Sequence, residues 1–541
     1  MKNIKLLSVA LGGLLTIQSC TDLKDKAYTT IIASQFNPTA SDLASLKGAA
    51  YSNWRFILLD WDGLWRAQEL SGDQEVIPGR PNGWVDGGVY RRIHEHKWTA
   101  EEGIVVNTWS RTYAGITNCN RVIYQIESGL IPMVGDDKAS TLAELKVLRA
   151  SYYYILIDMF GNIPVVTQFD LPDGFLPEQS SRTEVFNFIV KEIEDNVALL
   201  STRNDVSTYG TFNQWAAYTL LAKMYLNAEV YTGTAQWQKA IDAAEKVISS
   251  GAGFVLEPAQ KNVFVTENQN SKEIIWALPL DEIYTDNWNA FDLHMQSLSP
   301  ENQATYDLKS APWGGMSAIP QFINSYDKDD ERMPANWIQG PQYSSSGQPL
   351  ICGMGAFKDK PLDYINEVPG IESAESVHGF RLGKFEIKKG AAVQLSNDFP
   401  VFRFADVLMI KAEGLLRLGR ENEAAQIVTQ VRQRAFKNNP AKATVTGAQL
   451  KGGGVYDYGR RDISVKTTEG AGDITYGRFL DELGWEFDQE GRRRQDLIRF
   501  GVFSQKSWLS HTATNDVKKN LFPIPTIELN KNTKLRQNPG Y

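Results

Sequence analysis

Cysteine and histidine are scarce in this sequence, with three and five residues in 541. No CxxC occurs, so neither a zinc ribbon nor a dithiol redox centre is spelled out. Cys119 and Cys352 read as small buried apolar residues, although the sequence leaves a pairing between them open. GxSxG, HExxH and Walker A patterns are all missing, which removes the commonest signatures of serine hydrolases, zinc proteases and nucleotide hydrolases. An excess of positive charge is missing too. Lys and Arg number 56 against 64 Asp and Glu, for a net charge of −8 and a pI near 5.4. That leaves no electrostatic footprint for nucleic acid, and no basic run marks an acidic lipid surface. After residue 20 no apolar run reaches the ~20 residues that span a bilayer.

What is present begins at the N-terminus. Lys2 and Lys5 precede a short apolar stretch from Leu6 to Ile17, and "TIQSC" follows. The stretch is too short to cross a membrane and has the shape of a secretory signal. It resembles a bacterial lipoprotein signal, with residues 1–19 removed and Cys20 lipidated as the first mature residue. Acylation there holds a protein on a membrane without a spanning helix. Apart from its lipid, the mature chain is expected to be soluble.

Helical periods recur along the chain. In "VVNTWSRTYAGITNCNRVIYQIE", Val105, Trp109, Ile116, Cys119, Ile123 and Ile126 form one apolar face. "AELKVLRASYYYILIDMFG" repeats the pattern and stops at Gly161, with Pro164 beyond. Ser181 and Glu184 spell a capping box. "QWAAYTLLAKMYLNAEVY" with "QWQKAIDAAEKVIS", and "RFADVLMIKAEGLLRLG" with "ENEAAQIVTQVRQRA", form pairs with alanines at the expected contacts and resemble tetratricopeptide units. They are unevenly spaced. A stretch from Ser250 to Pro400 is rich in Gly, Pro, Asn and aromatics, and a further insertion runs from Asn438 to about Tyr476. The expected fold class is mainly α, a superhelix of tetratricopeptide-like helical pairs over about 103–250 and 400–500. Loop-rich excursions over about 55–100 and 250–400 are where function is expected.

Four stretches carry a family likeness: "VLRASYYYILIDMFGNIPVV", "FRFADVLMIKAEGLLRLG", "ELGWEFDQEGRRRQDLIRFG" and the C-terminal "NLFPIPTIELNKNTKLRQNPGY". With the lipoprotein cysteine they resemble the SusD/RagB family of outer-membrane lipoproteins of Bacteroidetes, in the right order and over nearly the whole mature chain, 20–541. The resemblance implies four helical pairs, an irregular nutrient-binding region, and a place as a lid over a TonB-dependent transporter. Asp22 and Asp25 are similar to the surface-export signals of such lipoproteins, which favours the outer face of the outer membrane.

Candidate chemistry outside that likeness is thin. His94 and His96 in "HEH" would share a face on a strand, but no third metal ligand is identifiable, and the flanking "RRI" and Trp98 favour a polar edge strand. "DKDDER" at 327–332 carries Arg332 where an EF-type calcium loop needs Gly, and it reads as a solvated turn. With 64 acids, a carboxylate pair at glycosidase spacing arises by chance, so it carries no signal. Glu486, Asp488 and Glu490 stand against Arg492, Arg493, Arg494 and Arg499, and read as a surface or partner-facing network. No cofactor is expected.

The tryptophans say more. Trp84 stands in "RPNGWVDGGVYRR", Trp288 in "YTDNWNAFDLH", Trp313 in "SAPWGGMS" and Trp337 in "PANWIQGPQ". Aromatic faces stack on the apolar C–H face of a pyranose, and neighbours such as Asn289 and Arg66 supply hydrogen bonds to its hydroxyls. Each Trp can instead plug its own loop onto the scaffold. The stretches of Trp84, Trp288 and Trp313 resemble the glycan-contacting loops of sugar-binding family members. The expected protein is therefore a non-catalytic, cell-surface glycan binder, with a β-glucan or xyloglucan as the first guess. A fructan, a mannan, a peptide or a glycopeptide is the alternative ligand, and a surface glycoside hydrolase is the rival activity.

Overall fold

The computed structural model describes residues 40–81, 86–281 and 290–541. Nine helices longer than ten residues stand among the described residues: α1 Ala40–Leu59, α2 Gly103–Glu127, α3 Gly135–Phe160, α4 Arg182–Asn196, α5 Gln214–Leu226, α6 Trp237–Ile248, α7 Phe404–Arg417, α8 Glu421–Arg432 and α9 Gly477–Phe487. They pack in sequence, α1 on α2, α2 on α3, α3 on α4, α5 on α6 and α7 on α8. Helix α6 packs on α7, so the stack continues across the long excursion between them. The fold is the mainly α, tetratricopeptide-like architecture read from the sequence.

Local chemistry explains these elements. The apolar face expected on α2 is buried from Ile104 to Ile126. Gly115 lets α2 meet α3 at close range, because a Cβ there would stand 2.6 Å from the ring of Tyr152. The Tyr152 hydroxyl donates in turn to the Ala50 carbonyl of α1, which ties three helices at one point. The capping box at Ser181 and Glu184 is formed and starts α4. Helix α3 ends at Gly161, whose φ of 73° suits glycine.

Strands are short. The longest pair, Ile274–Leu278 with Phe399–Arg403, runs antiparallel and closes the excursion against the start of α7. Excursion and scaffold are also fastened by buried charge. The Glu486 carboxylate accepts from Arg403 Nη1 at 2.8 Å, Arg434 Nη2 at 2.5 Å and Arg332 Nη1 at 3.2 Å. Lys384 Nζ donates to Asp488 Oδ1 at 3.0 Å and Glu490 Oε1 at 2.6 Å. Most of the charges over 486–499, expected as a surface or partner-facing network, are thus buried, with Glu490 and Arg492 half-buried. Their partners lie up to hundreds of residues away, and each ion is paired and hydrogen-bonded, which makes its burial tolerable. "DKDDER" is corrected in part: Asp327 and Lys328 are exposed as a solvated turn requires, but Asp330 and Arg332 are buried and pair at 2.7 Å.

The HEH segment is not a strand. His94 closes the short helix Val89–His94, and His96 has a φ of 55°. Both are buried and meet His511, whose ring centroid is 4.2 Å from that of His96. Nε2 of His96 bonds the Ser71 carbonyl at 2.8 Å, and Nε2 of His94 bonds that of Leu509. Among the described residues no three His, Cys, Asp or Glu are arranged to hold a metal ion. Cys119 and Cys352 are buried and unpaired with each other. Among the described residues no helix is long and apolar enough to cross a membrane.

Candidate functional site

Helix α1 ends in the sequence Asp60-Trp61-Asp62-Gly63. The Asp60 Oδ1 accepts from the backbone N–H of Trp61 at 2.8 Å, and the Gly63 N–H donates back to the Asp60 carbonyl at 2.7 Å. The turn is tight enough that a Cβ on Gly63 would lie 2.6 Å from the Asp60 carbonyl oxygen. It presents Trp61 half-buried at the helix end.

Trp61 is fixed from below. Its Nε1 donates to Asp292 Oδ2 at 2.7 Å, while Arg66 Nη2 and Gln296 Nε2 donate to Asp292 Oδ1 at 3.2 and 2.5 Å. Burial pushes the Asp292 carboxyl up, and Arg66 and the Trp61 and Gln296 donors oppose it. Asp292 precedes the short helix Leu293–Ser297. That helix holds the next element, because the Met295 carbonyl accepts from Trp313 N–H at 2.7 Å.

Trp313 is half-buried and meets Trp61 edge to face, with ring centroids 5.3 Å apart and planes at 69°. The two rings form an aromatic corner with a polar rim. Asn107 Nδ2 donates to Asp62 Oδ2 at 3.2 Å, and Arg111 pairs with Asp60 at 2.5 Å. Such a corner offers an indole face and edge beside amide, carboxylate and guanidinium groups. That combination suits a sugar ring, which has apolar C–H faces and a hydroxyl periphery.

The structure sorts the residues expected to bind ligand. Trp313 stands at the corner. Trp337 does not: it is 1% exposed, lies on a strand paired with Arg381–Leu382 and packs against Phe322. Its polar sequence neighbours concealed a core residue, so it cannot stack on a ligand. Arg66 is also corrected, since it is 0% exposed and is spent on Asp292 and the Leu59 carbonyl. Trp84, Trp288, Asn289 and Cys20 lie outside the described residues. The chain flanking Trp84, Trp288 and Asn289 is described, however. Ala290 to Asp292 runs directly into the Trp61 anchor, and the stem before residue 82 is bonded to Gly315 through Arg80. Trp61 was missed in the sequence. Its signal was a Trp between two aspartates, just ahead of a glycine at the end of an apolar helix.

Comparison with known proteins completes the description. The SusD family matches residues 272–541, and a second family, described as starch-binding and associating with the outer membrane, matches residues 65–226. The starch-binding protein SusD of Bacteroides thetaiotaomicron is 24% identical over 497 residues, covering 85% of this chain and 82% of that one. SusD-like protein P2 of Formosa agariphila is 23% identical over 567 residues, covering the whole of both. Among solved structures, a laminarin-binding SusD-like protein superposes with a TM-score of 0.69 at 19% identity, covering 94% of this chain and 100% of that one. Surface glycan-binding protein A of Bacteroides thetaiotaomicron, in complex with laminarihexaose, gives 0.67 at 18% identity, covering 93% and 100%.

Proposed function

This chain belongs to the SusD family, and on that premise we propose that it captures a glycan at the Trp61–Trp313 corner and delivers it to a TonB-dependent transporter of the outer membrane. It is a carbohydrate-binding protein and not an enzyme, as are the relatives it resembles. The observation that carries the site is the corner itself: two half-buried indoles held at 69° by a buried Asp292–Arg66 pair, with Asp60, Asp62, Asn107 and Arg111 at the rim. A buried anchor under a partly exposed aromatic pre-organises the contact, so little ordering entropy is lost when ligand arrives.

Trp84, Trp288 and Asn289 extend this surface in the proposal, each from a loop whose stem abuts the corner. Lipidation of Cys20 places the protein on the outer face of the outer membrane. The ligand is proposed to be a β-glucan. Two structural neighbours are named for laminarin or laminarihexaose, which supports that choice. Starch, which the relative from Bacteroides thetaiotaomicron binds by name, is the first competitor to test.

The test is electrophoresis through gels containing laminarin, xyloglucan or starch. Retardation by laminarin above the others is the expected result. Retardation by starch alone would replace the ligand, and migration unchanged in all three would remove the function. New reducing ends after incubation with the retarding glycan would overturn the non-catalytic assignment.

A further inference from the structure

Glu69 ends the short helix Leu64–Glu69, which starts directly after the Trp61 turn. One turn before it, Arg66 holds Asp292 and, through Asp292, Trp61. Glu75 opens the strand Glu75–Val76, which pairs antiparallel with Ser317–Ala318, a few residues beyond Trp313. Ile319 N–H donates to the Gln74 carbonyl at 2.8 Å and extends that pairing. The two glutamates thus stand behind the two tryptophans, one on each support.

Both carboxyls are 0% exposed. Glu69 Oε1 accepts from the Arg492 N–H at 2.8 Å. Glu69 Oε2 and both oxygens of Glu75 receive no N–H, and no hydroxyl of another residue type, among the described residues. The two carboxyls hydrogen-bond to each other instead. Ionised carboxylates only accept, so this contact requires a proton between them.

The charged groups around the pair have partners of their own. Asp73 pairs with Arg493 at 2.7 Å and accepts from the Tyr458 hydroxyl at 2.6 Å, while the Tyr456 hydroxyl donates to its carbonyl. Asp488 pairs with Lys384 at 3.0 Å, with Glu490 and Arg332 beyond it. Arg492 is spent on Asp406 and Asp496. The facing strand, Ser317–Ala318, brings no charge. Burial, reinforced by the like charges of Glu69, Asp488 and Asp73, pushes the Glu75 carboxyl well up. With the proton in place, the pair makes a strong O–H···O⁻ bond. Without it, two like charges meet in a site closed to water.

We propose that Glu69 and Glu75 share one buried proton, and that this proton is a pH-sensitive clasp behind the glycan corner. While it is bound, the support of Trp61 and the support of Trp313 are held together. When the proton passes to solvent in alkali, the carboxylates repel, the supports part and glycan binding weakens. The proposal rests on the glycan-binding reading of the corner.

The experiment titrates laminarihexaose into the detergent-solubilised protein by calorimetry at pH 6 and pH 8, with melting temperatures taken at both. A pair that titrates near 7 goes from about nine-tenths protonated to about one-tenth, so wild-type affinity should fall about tenfold. Glu75→Gln puts an amide donor where the proton was. Its affinity should be the same at both pH values, within about twofold of wild type at pH 6. Glu69→Gln should behave alike, and it decides the matter should Glu75→Gln not fold. Wild-type affinity that is equal at the two pH values would overturn the proposal. So would a fall that persists in both Gln variants, because it would belong to another group, such as Asp292 at the corner. A wild-type melting temperature at pH 8 that calcium chloride raises, and that no longer responds in Glu75→Gln, would put a cation between the carboxyls and overturn the shared proton. A wild-type protein that binds neither laminarihexaose nor maltohexaose at either pH would instead overturn the binding function beneath. The shared proton would still be read from the melting temperature, whose fall from pH 6 to pH 8 should be smaller in Glu75→Gln.

Discussion

Replacing two tryptophans that look alike in the sequence should give opposite results. Trp337 is 1% exposed and closes a strand against Phe322, whose ring centroid is 6.1 Å away. Truncation to Ala removes its transfer energy and leaves a cavity, together about 3–5 kcal/mol. With an unfolding entropy of about 2.1 cal/mol/K per residue, a chain of 541 residues loses about 1 °C of Tm per kcal/mol. Trp337→Ala should therefore melt about 3–5 °C lower, with glycan affinity unchanged below the transition. Trp313 is half-buried and meets Trp61 edge to face. Its truncation should cost about 1 kcal/mol of binding, up to about tenfold in Kd, with a smaller shift in Tm than that of Trp337→Ala. Calorimetry of both variants, by melting and by titration with laminarihexaose, reads all four numbers. A Trp313→Ala protein that melts as low as Trp337→Ala yet binds normally when cold would refute the division between platform and core.

Further outcomes follow from the same structure. Burial holds His96 at a pKa of about 3, against about 6.5 in the unfolded chain. Its contribution is full above pH 6.5 and is lost as pH falls toward 3, at about 1.4 kcal/mol per pH unit. His96→Gln should flatten the acid limb of a Tm-against-pH curve, and an unchanged limb would remove this account. Glu69 and Asp481 work in the opposite sense, since burial raises both to about 7. Their stabilisation is present in acid and lost as pH rises from about 4 to 7, so Asp481→Asn should gain stability relative to wild type at pH 8. Burial alone would raise the pKa of Glu486, but Arg434, Arg403 and Arg332 hold it well below the usual carboxylate range. Glu486→Gln should cost about 3–5 kcal/mol in urea unfolding, because Arg403, Arg434 and Arg332 each lose one of their buried carboxylate partners. Cys20→Ala should leave the membrane fraction, and retention there without any associated transporter would contradict lipid anchoring.

The scaffold was legible because its signals are local. A 3.6-residue apolar period gave α2 and α3, and two residues three apart gave the start of α4. The errors arose where tertiary partners decide. Trp337 has polar neighbours in sequence, but its burial comes from Phe322 and the strand at Leu382. The charges of 486–499 find counter-ions at 73, 158, 332, 384, 403, 406, 413 and 434, and no spacing rule connects those positions. His511 joins His94 and His96 from more than 400 residues away. For the site, composition pointed to loop tryptophans in general. It did not separate Trp313 from Trp337, nor single out Trp61, because half-burial is a property of the packed molecule.

The central claim is that this protein binds a glycan through the Trp61–Trp313 corner and leaves it intact. The most direct test is a calorimetric titration of laminarihexaose into the wild-type protein and into the Trp61→Ala/Trp313→Ala double variant, with the sugar recovered and sized afterwards. Saturable binding by the wild type, its loss in a double variant that remains folded, and recovery of the hexaose at full length are the predicted results. Undiminished binding by the folded double variant, or recovery of shortened sugar, would contradict the account.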